Sequence, residues 1–180
     1  AGRIMAALEF AVLQWAQSMH TPWLDAVMVF VTKTGDFGWI WLGAAAVCLC
    51  IRKTRRTGIA MLLALAFSLL VGNGILKPLI ARVRPCDLPA WEGLALLIPH
   101  PGGYSFPSGH AFSSFAAASA VFFHHRKAGI AALLWAAAVG VSRVYLAVHF
   151  PTDVLCGAVL GMLFGKAAAF LAARRQGNLD

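Results

Sequence analysis

A chain of 180 residues that is 60% hydrophobic and only 12% charged has more apolar surface than a water-soluble core can hide, and its long apolar runs place it in the membrane class. The net charge of +8 is gathered in short basic clusters at the ends of those runs. That pattern suits anionic lipid headgroups and argues against a nucleic-acid groove, where aromatic and basic residues would interleave.

Residues 3–32 divide at Thr21-Pro22. Ile4 to Met19 reads as an amphipathic helix and Pro22 to Val31 as a second apolar piece carrying Asp25, so the segment is either a kinked span or an interfacial helix followed by a short one. Glu9, Gln14 and Gln17, with no small-residue cleavage site, argue against a cleavable signal peptide. Gly35-Asp36-Phe37-Gly38 reads as a turn, Trp39 to Ile51 as a short apolar segment, and Arg52-Lys53-Thr54-Arg55-Arg56 as a basic turn. Gly58 to Leu76 is an uncharged span that Lys77-Pro78 interrupts.

Residues 85–106 form a long loop rich in proline and glycine, with an apolar piece from Leu94 to Ile98 suited to rest on the membrane surface; loops of this length are usually functional. Pro107 to Phe123 is the next span, with Pro107 expected in its first turn, and it ends at the basic turn His124-His125-Arg126-Lys127. Ala128 to Ser142 follows and runs on through Arg143 to Val148. Pro151 to Ala173 closes the set before Arg174-Arg175, with Gly157, Gly161 and Gly165 marking a close-packing face. Of the four cysteines, Cys48, Cys50 and Cys156 lie in apolar runs as inert thiols. Cys86 lies in the polar loop without an evident partner, and no cysteine pair has metal or redox spacing.

The expected fold is therefore all-α: a single membrane-integral domain over residues 1–180, built as a bundle of six transmembrane helices. Both termini, Arg3 and the basic turns then share the cytoplasmic face. Lys33, Lys77, Arg82, Arg84 and Arg143 lie on the opposite face, where Trp23, Trp39 and Trp91 serve as interface anchors.

Three clusters reach that outer face. Lys77 and Arg84 are seven residues apart, two turns on one side of a helix. Pro107-Ser108-Gly109-His110 offers the amides of Ser108 and Gly109 at a helix N-terminus, where an anion is favoured. Ser142-Arg143, His149 and Asp153 form the third, with Asp153 in the first turn of the last helix and within reach of the His149 imidazole. Phosphoryl transfer fits this set. Lys77, Arg84 and Arg143, with the Ser108 hydroxyl and the nearby amides, would hold one phosphate and stabilise its transition state. His149, oriented by Asp153, would attack phosphorus, and His110 would protonate the leaving oxygen and later activate water. No metal or other cofactor is expected, because cationic side chains carry the charge and carboxylates are too sparse for a two-metal site. His20, His100, His124 and His125 are read as ordinary histidines, Lys166 as a snorkelling lysine and Arg82 as an unassigned cation.

These residues resemble the signature of the type 2 phosphatidic acid phosphatase family, membrane relatives of vanadium haloperoxidases. The three motifs are Lys77 with six residues before Arg84-Pro85; Pro107-Ser108-Gly109-His110; and Ser142-Arg143 with five residues before His149 and three more before Asp153. All three are complete, in order, and span residues 77–153. The resemblance implies a six-helix membrane core, a His149 nucleophile with Asp153 behind it, His110 as general acid, and phosphate binding by Lys77, Arg84, Ser108, Gly109 and Arg143. It also implies metal independence and inhibition by vanadate.

A site at the membrane boundary suggests a lipid phosphate or diphosphate whose tail stays in the bilayer. The short chain resembles bacterial members of the family, so the expected location is the inner (plasma) membrane with the site on the extracytoplasmic side. Undecaprenyl diphosphate is the preferred substrate, with phosphatidylglycerol phosphate and phosphatidate as alternatives. The competing class is a non-enzymatic lipid-phosphate binder or transporter, although no internal repeat supports a transporter. Substrate and membrane lipids are the expected partners, and the sequence does not fix an oligomeric state.

Overall fold

The computed structural model describes residues 2–91 and 93–176, without the side chains of Arg3, Arg175 and Gln176. The extreme ends of the expected 1–180 domain, and the Arg3 and Arg175 side chains assigned to the basic face, lie outside the described residues. Helices account for nearly all regular structure, and no strand occurs among the described residues. The order is α1 (Gly2–Ser18), α2 (Pro22–Thr34), a 3₁₀ turn (Asp36–Gly38), α3 (Trp39–Cys50) and α4 (Arg55–Phe67). A π-helical stretch (Ser68–Leu76) carries α4 on into α5 (Lys77–Ile80). After two short 3₁₀ turns come α6 (Gly109–His124), α7 (Arg126–Tyr145) and α8 (Pro151–Gln176).

Three helical runs, starting at Arg55, Arg126 and Pro151, are long and apolar enough to cross a membrane. Large apolar side chains such as Phe30, Leu69, Leu134 and Leu163 point outward from the bundle, as lipid contact would require. The other helices are shorter. α6, with 16 residues, extends about 24 Å against a hydrocarbon core of about 30 Å. It is the most enclosed helix, with Ala111, Phe112, Ala116, Ala117, Ala118 and Ala120 fully buried.

The glycine stripe explains how α6 is held. A Cβ built on Gly157 would stand 2.8 Å from the Ser108 carbonyl oxygen, on Gly161 2.7 Å from that of Phe112, and on Gly165 2.3 Å from that of Ala116. Each step of four on α8 matches a step of four on α6 in the same direction, so the two helices run parallel with backbones in near contact. Their N-termini are thereby brought to the same end of the bundle, which joins the second sequence cluster to the third. The Ser108 amide donates to the Asp153 carbonyl at 3.1 Å across this junction.

Several local expectations change. Residues 3–32 divide at Thr21-Pro22 into two helices, as expected, while the turn at Gly35–Gly38 is a break between α2 and α3 where Phe37 and Gly38 take positive φ. Pro107 precedes the helix it was expected to start, because Ser108 caps α6 with its hydroxyl accepting from the Ala111 amide. Lys77 and Arg84 do not share a helix face. The helix stops at Ile80, Ala81 is left-handed, and Arg84 lies in extended backbone. Lys77-Pro78 does not interrupt the run either, since proline sits near the start of α5, where its missing N–H costs little.

Candidate active site

The N-terminus of α6, the start of α5, the break between α2 and α3 and the α7–α8 connection surround one cavity of about 600 Å3. Lys77, Arg84, Gly109, His110, Arg143 and His149 all line it, although they come from three separate sequence clusters. Its other wall is apolar, made of Leu42, Leu62, Leu65, Ala66 and Leu69. A polar, cationic end thus opens directly onto a greasy one.

The α7–α8 connection is buried throughout, and it carries His149 with only 2% exposure. Arg84 donates from Nη1 to the Val148 carbonyl at 2.9 Å and to His149 Nε2 at 3.1 Å. Nε2 is therefore the acceptor nitrogen, and the imidazole carries its proton on Nδ1. Burial pushes the His149 pKa down to about 3, with the guanidiniums of Arg143 and Arg84 adding to the effect against the pull of Asp153. At neutral pH the ring is uncharged, and its Nε2 lone pair is held by Arg84, which also lines the cavity.

Asp153 does not line the cavity; it is fully buried behind His149. The direct Nδ1–Oδ2 separation is 3.7 Å, too long for a hydrogen bond. Ser105 fills the gap, its hydroxyl donating to Asp153 Oδ2 at 2.5 Å and standing 3.4 Å from His149 Nδ1. The Phe150 amide donates to the same oxygen at 2.9 Å. The other oxygen, Oδ1, accepts from Arg82 Nη1 at 2.6 Å, and Arg82 Nη2 reaches Glu9 Oε2 at 2.7 Å. Thr152 bonds both Arg82 and Glu9. Glu9 is thus drawn from α1 into the rear of the site.

The cations are held by neutral partners that leave their charge unspent. Arg84 donates to the carbonyls of Gly102 and Gly103 at 3.1 and 3.0 Å. Arg143 is 3% exposed and donates from Nη1 to Thr32 Oγ1 at 2.6 Å. Its Nε is buried with no hydrogen-bond partner among the described residues. A buried donor left unmatched costs about 1–3 kcal/mol, and an anion in the cavity would recover it. On the far side, His110 Nε2 lies 2.9 Å from Asp36 Oδ1, in the break between α2 and α3.

The sequence expectations and the geometry differ in four respects. Ser108 is fully buried, its amide is taken by the Asp153 carbonyl and its hydroxyl caps α6, so it does not line the cavity as a phosphate ligand. Its part is to hold the α6 N-terminus. Ser105 joins the site without a sequence signal, because nothing in its spacing ties it to His149. Asp36 is 74 residues from His110 and read only as part of a turn. Arg82, left unassigned, is the counter-ion of Asp153.

The PAP2 superfamily profile matches residues 57–176. An undecaprenyl-diphosphatase of Sulfolobus acidocaldarius is 33% identical over 141 residues, covering 77% of this chain and 66% of that relative. Phosphatidylglycerophosphatase B of Bacillus subtilis is 32% identical over 166 residues, covering 85% of this chain and 77% of its own length. The crystal structure of a transmembrane PAP2 type phosphatidylglycerolphosphate phosphatase from Bacillus subtilis superposes with a TM-score of 0.76 at 32% identity, covering 100% of this chain and 89% of that one.

Proposed function

The chain belongs to the PAP2 superfamily, and on that premise we propose that it is a membrane lipid phosphatase working through a phosphohistidine. The observation that carries this reading is the single cavity in which Lys77, Arg84, Arg143, His110 and His149 meet beside an apolar wall. The phosphate enters the cationic end while the lipid tail lies against Leu42, Leu62, Leu65 and Leu69 and continues into the bilayer.

In the first step the Nε2 lone pair of His149 attacks phosphorus. The Nε2–P bond forms, the bond from phosphorus to the leaving oxygen breaks, and His110 gives that oxygen its proton. Arg84 transfers its Nη1 donor from Nε2 to a phosphoryl oxygen, the Arg143 Nε gains a partner, and Lys77 and the α6 N-terminus at Gly109 add positive potential. Positive charge that builds on the His149 ring is stabilised from Nδ1 through Ser105 to Asp153. In the second step water attacks phosphorus, His110 takes the water proton, and the Nε2–P bond breaks to release phosphate. Charge compensation comes from side chains throughout, so no metal takes part in either step.

Undecaprenyl diphosphate, cleaved to undecaprenyl phosphate, is the proposed substrate. A diphosphate loses a phosphate, an easier departure than the alkoxide of a monoester. Phosphatidylglycerol phosphate is the second reading, favoured by the fold match over the full chain. We assign six crossings to α1, the broken α2–α3 pair, α4 with its continuation, α6, α7 and α8, all in one domain. The site then lies on the extracytoplasmic side of the plasma membrane. Purified protein in detergent is expected to release phosphate from polyprenyl diphosphate with EDTA present, and His149→Ala to abolish turnover. Normal turnover by that variant would remove the nucleophile assignment, and a preference for glycerolipid phosphates would select the second substrate.

A further inference from the structure

The long loop between Pro85 and Phe106 brings together three side chains that are unremarkable in sequence. Cys86 Sγ lies 3.7 Å from Asp87 Oδ1 and 3.9 Å from His100 Nε2, and the latter two atoms are 2.6 Å apart. One soft sulfur, one imidazole nitrogen and one carboxylate oxygen therefore form a small triangle, the only such metal-ligating group among the described residues. A tetrahedral Zn2+ with bonds of about 2.3 Å to sulfur and about 2.0–2.1 Å to nitrogen and oxygen needs ligand separations of about 3.3–3.6 Å. The two sulfur distances already lie within a few tenths of an ångström of that range. Only the hydrogen-bonded His100–Asp87 edge must open, by less than 1 Å on the same arithmetic (about 0.7 Å). All three groups are at least partly exposed and border a depression of about 430 Å3, which leaves room for a fourth ligand.

We propose that Cys86, Asp87 and His100 form a binding site for a zinc-class divalent cation, with water in the fourth position. On binding, the Cys86 thiol gives its proton to solvent and the thiolate bonds the metal. The Nε2 proton that His100 donates to Asp87 passes through solvent to Nδ1, so the ring stays neutral and Nε2 bonds the metal, and Asp87 contributes Oδ1. The site sits where it can act on the loop. Cys86 follows Arg84 by two residues, and His100 precedes by two and three residues the carbonyls of Gly102 and Gly103 that hold the Arg84 guanidinium. A metal here ties the outgoing strand of the loop to the returning one just beyond that anchor. It fixes Arg84, and so it favours phosphate binding over the chemical step. That last link rests on the phosphatase reading; the ligation itself does not.

The test uses the full-length protein in detergent, stripped with chelator and titrated with Co2+. One equivalent is expected to bind, with the intense visible bands of tetrahedral cobalt and a near-ultraviolet thiolate-to-cobalt band. Cys86→Ser should abolish the thiolate band although Cys48, Cys50 and Cys156 remain, His100→Ala should abolish stoichiometric binding, and Asp87→Asn should weaken it about tenfold or more. Absence of the thiolate band, or its survival in Cys86→Ser, overturns the site. In parallel, Zn2+ should lower KM for the lipid diphosphate about threefold at unchanged kcat. An unchanged or raised KM overturns the link to Arg84. A protein that binds cobalt as described but hydrolyses no lipid phosphate would keep the metal site and overturn the phosphatase reading instead.

Discussion

Replacing Ser105 by alanine isolates the element that sequence reading missed. The hydroxyl stands between His149 Nδ1, at 3.4 Å, and Asp153 Oδ2, at 2.5 Å, while the direct imidazole–carboxylate separation is 3.7 Å. Asp153 would keep the Phe150 amide and Arg82, so the acid stays satisfied and the fold should survive. What is lost is a hydrogen bond to a charged group, worth about 1.5–3 kcal/mol. If that stabilisation is felt mainly when His149 becomes positively charged in the transition state, kcat falls by roughly 10- to 150-fold. KM should hardly move, because Ser105 does not line the cavity. Initial rates of phosphate release, with EDTA present and thermal unfolding as a check on folding, separate the two parameters. A correctly folded Ser105→Ala protein with kcat within twofold of the parent would refute the relay. A rise in KM at constant kcat would place Ser105 in binding.

Three other outcomes are expected. Asp36→Asn, which removes the carboxylate facing His110 at 2.9 Å, should lower kcat about tenfold through loss of a hydrogen bond to a charged group, with little change in melting temperature; an unaltered kcat would make Asp36 a bystander. Gly165→Ala would force a Cβ to within 2.3 Å of the Ala116 carbonyl oxygen, so its melting temperature and activity should fall together, and a neutral effect would mean that α6 and α8 are less tightly seated. His149 has a folded pKa of about 3 against an ordinary 6.5, so between those values the unfolded chain binds a proton that the native protein does not. Stability should therefore be constant in this respect above pH 6.5 and decline as pH falls towards 3, and melting curves of His149→Gln should show a shallower acid slope; equal slopes would remove the assignment.

The sequence made the cavity's first layer legible because its residues must be of fixed chemical type. Lys77, Arg84, His110, Arg143 and His149 could be picked out as ionisable groups at the edges of apolar runs, where nothing but function or an anchor explains them. The glycine stripe likewise announced a close contact, although not that it would align α6 and α8 in parallel. The second layer was not readable. Ser105, Asp36, Glu9 and Arg82 are common residue types with no periodic relation to their partners, and only folding brings α1 and the α2–α3 break to the site. Helical periodicity misled where the backbone changed register, as between Lys77 and Arg84, because a left-handed residue at Ala81 cannot be inferred from an alanine.

That second layer explains how a strongly cationic cavity coexists with a buried acid. A carboxylate placed behind His149 with no counter-ion would attract Arg84, which already donates to the same imidazole. An Arg84–Asp153 pair would cancel the charge meant for phosphate. Arg82 opposes this by occupying Asp153 Oδ1, while Ser105 and the Phe150 amide occupy Oδ2, so both oxygens of the acid already have donors. Glu9 shares Arg82 with Asp153, so the rear of the site holds two carboxylates tied to one guanidinium. The charged side chains that line the cavity are then Lys77, Arg84 and Arg143 against Asp36. Arg82→Gln should therefore reduce affinity for phosphate as well as turnover, even though Arg82 never touches the cavity: the freed carboxylate would draw Arg84 inward. Inorganic phosphate or vanadate inhibition measures this directly, and an inhibition constant that is unchanged in the variant would show that Asp153 does not compete with the substrate for Arg84.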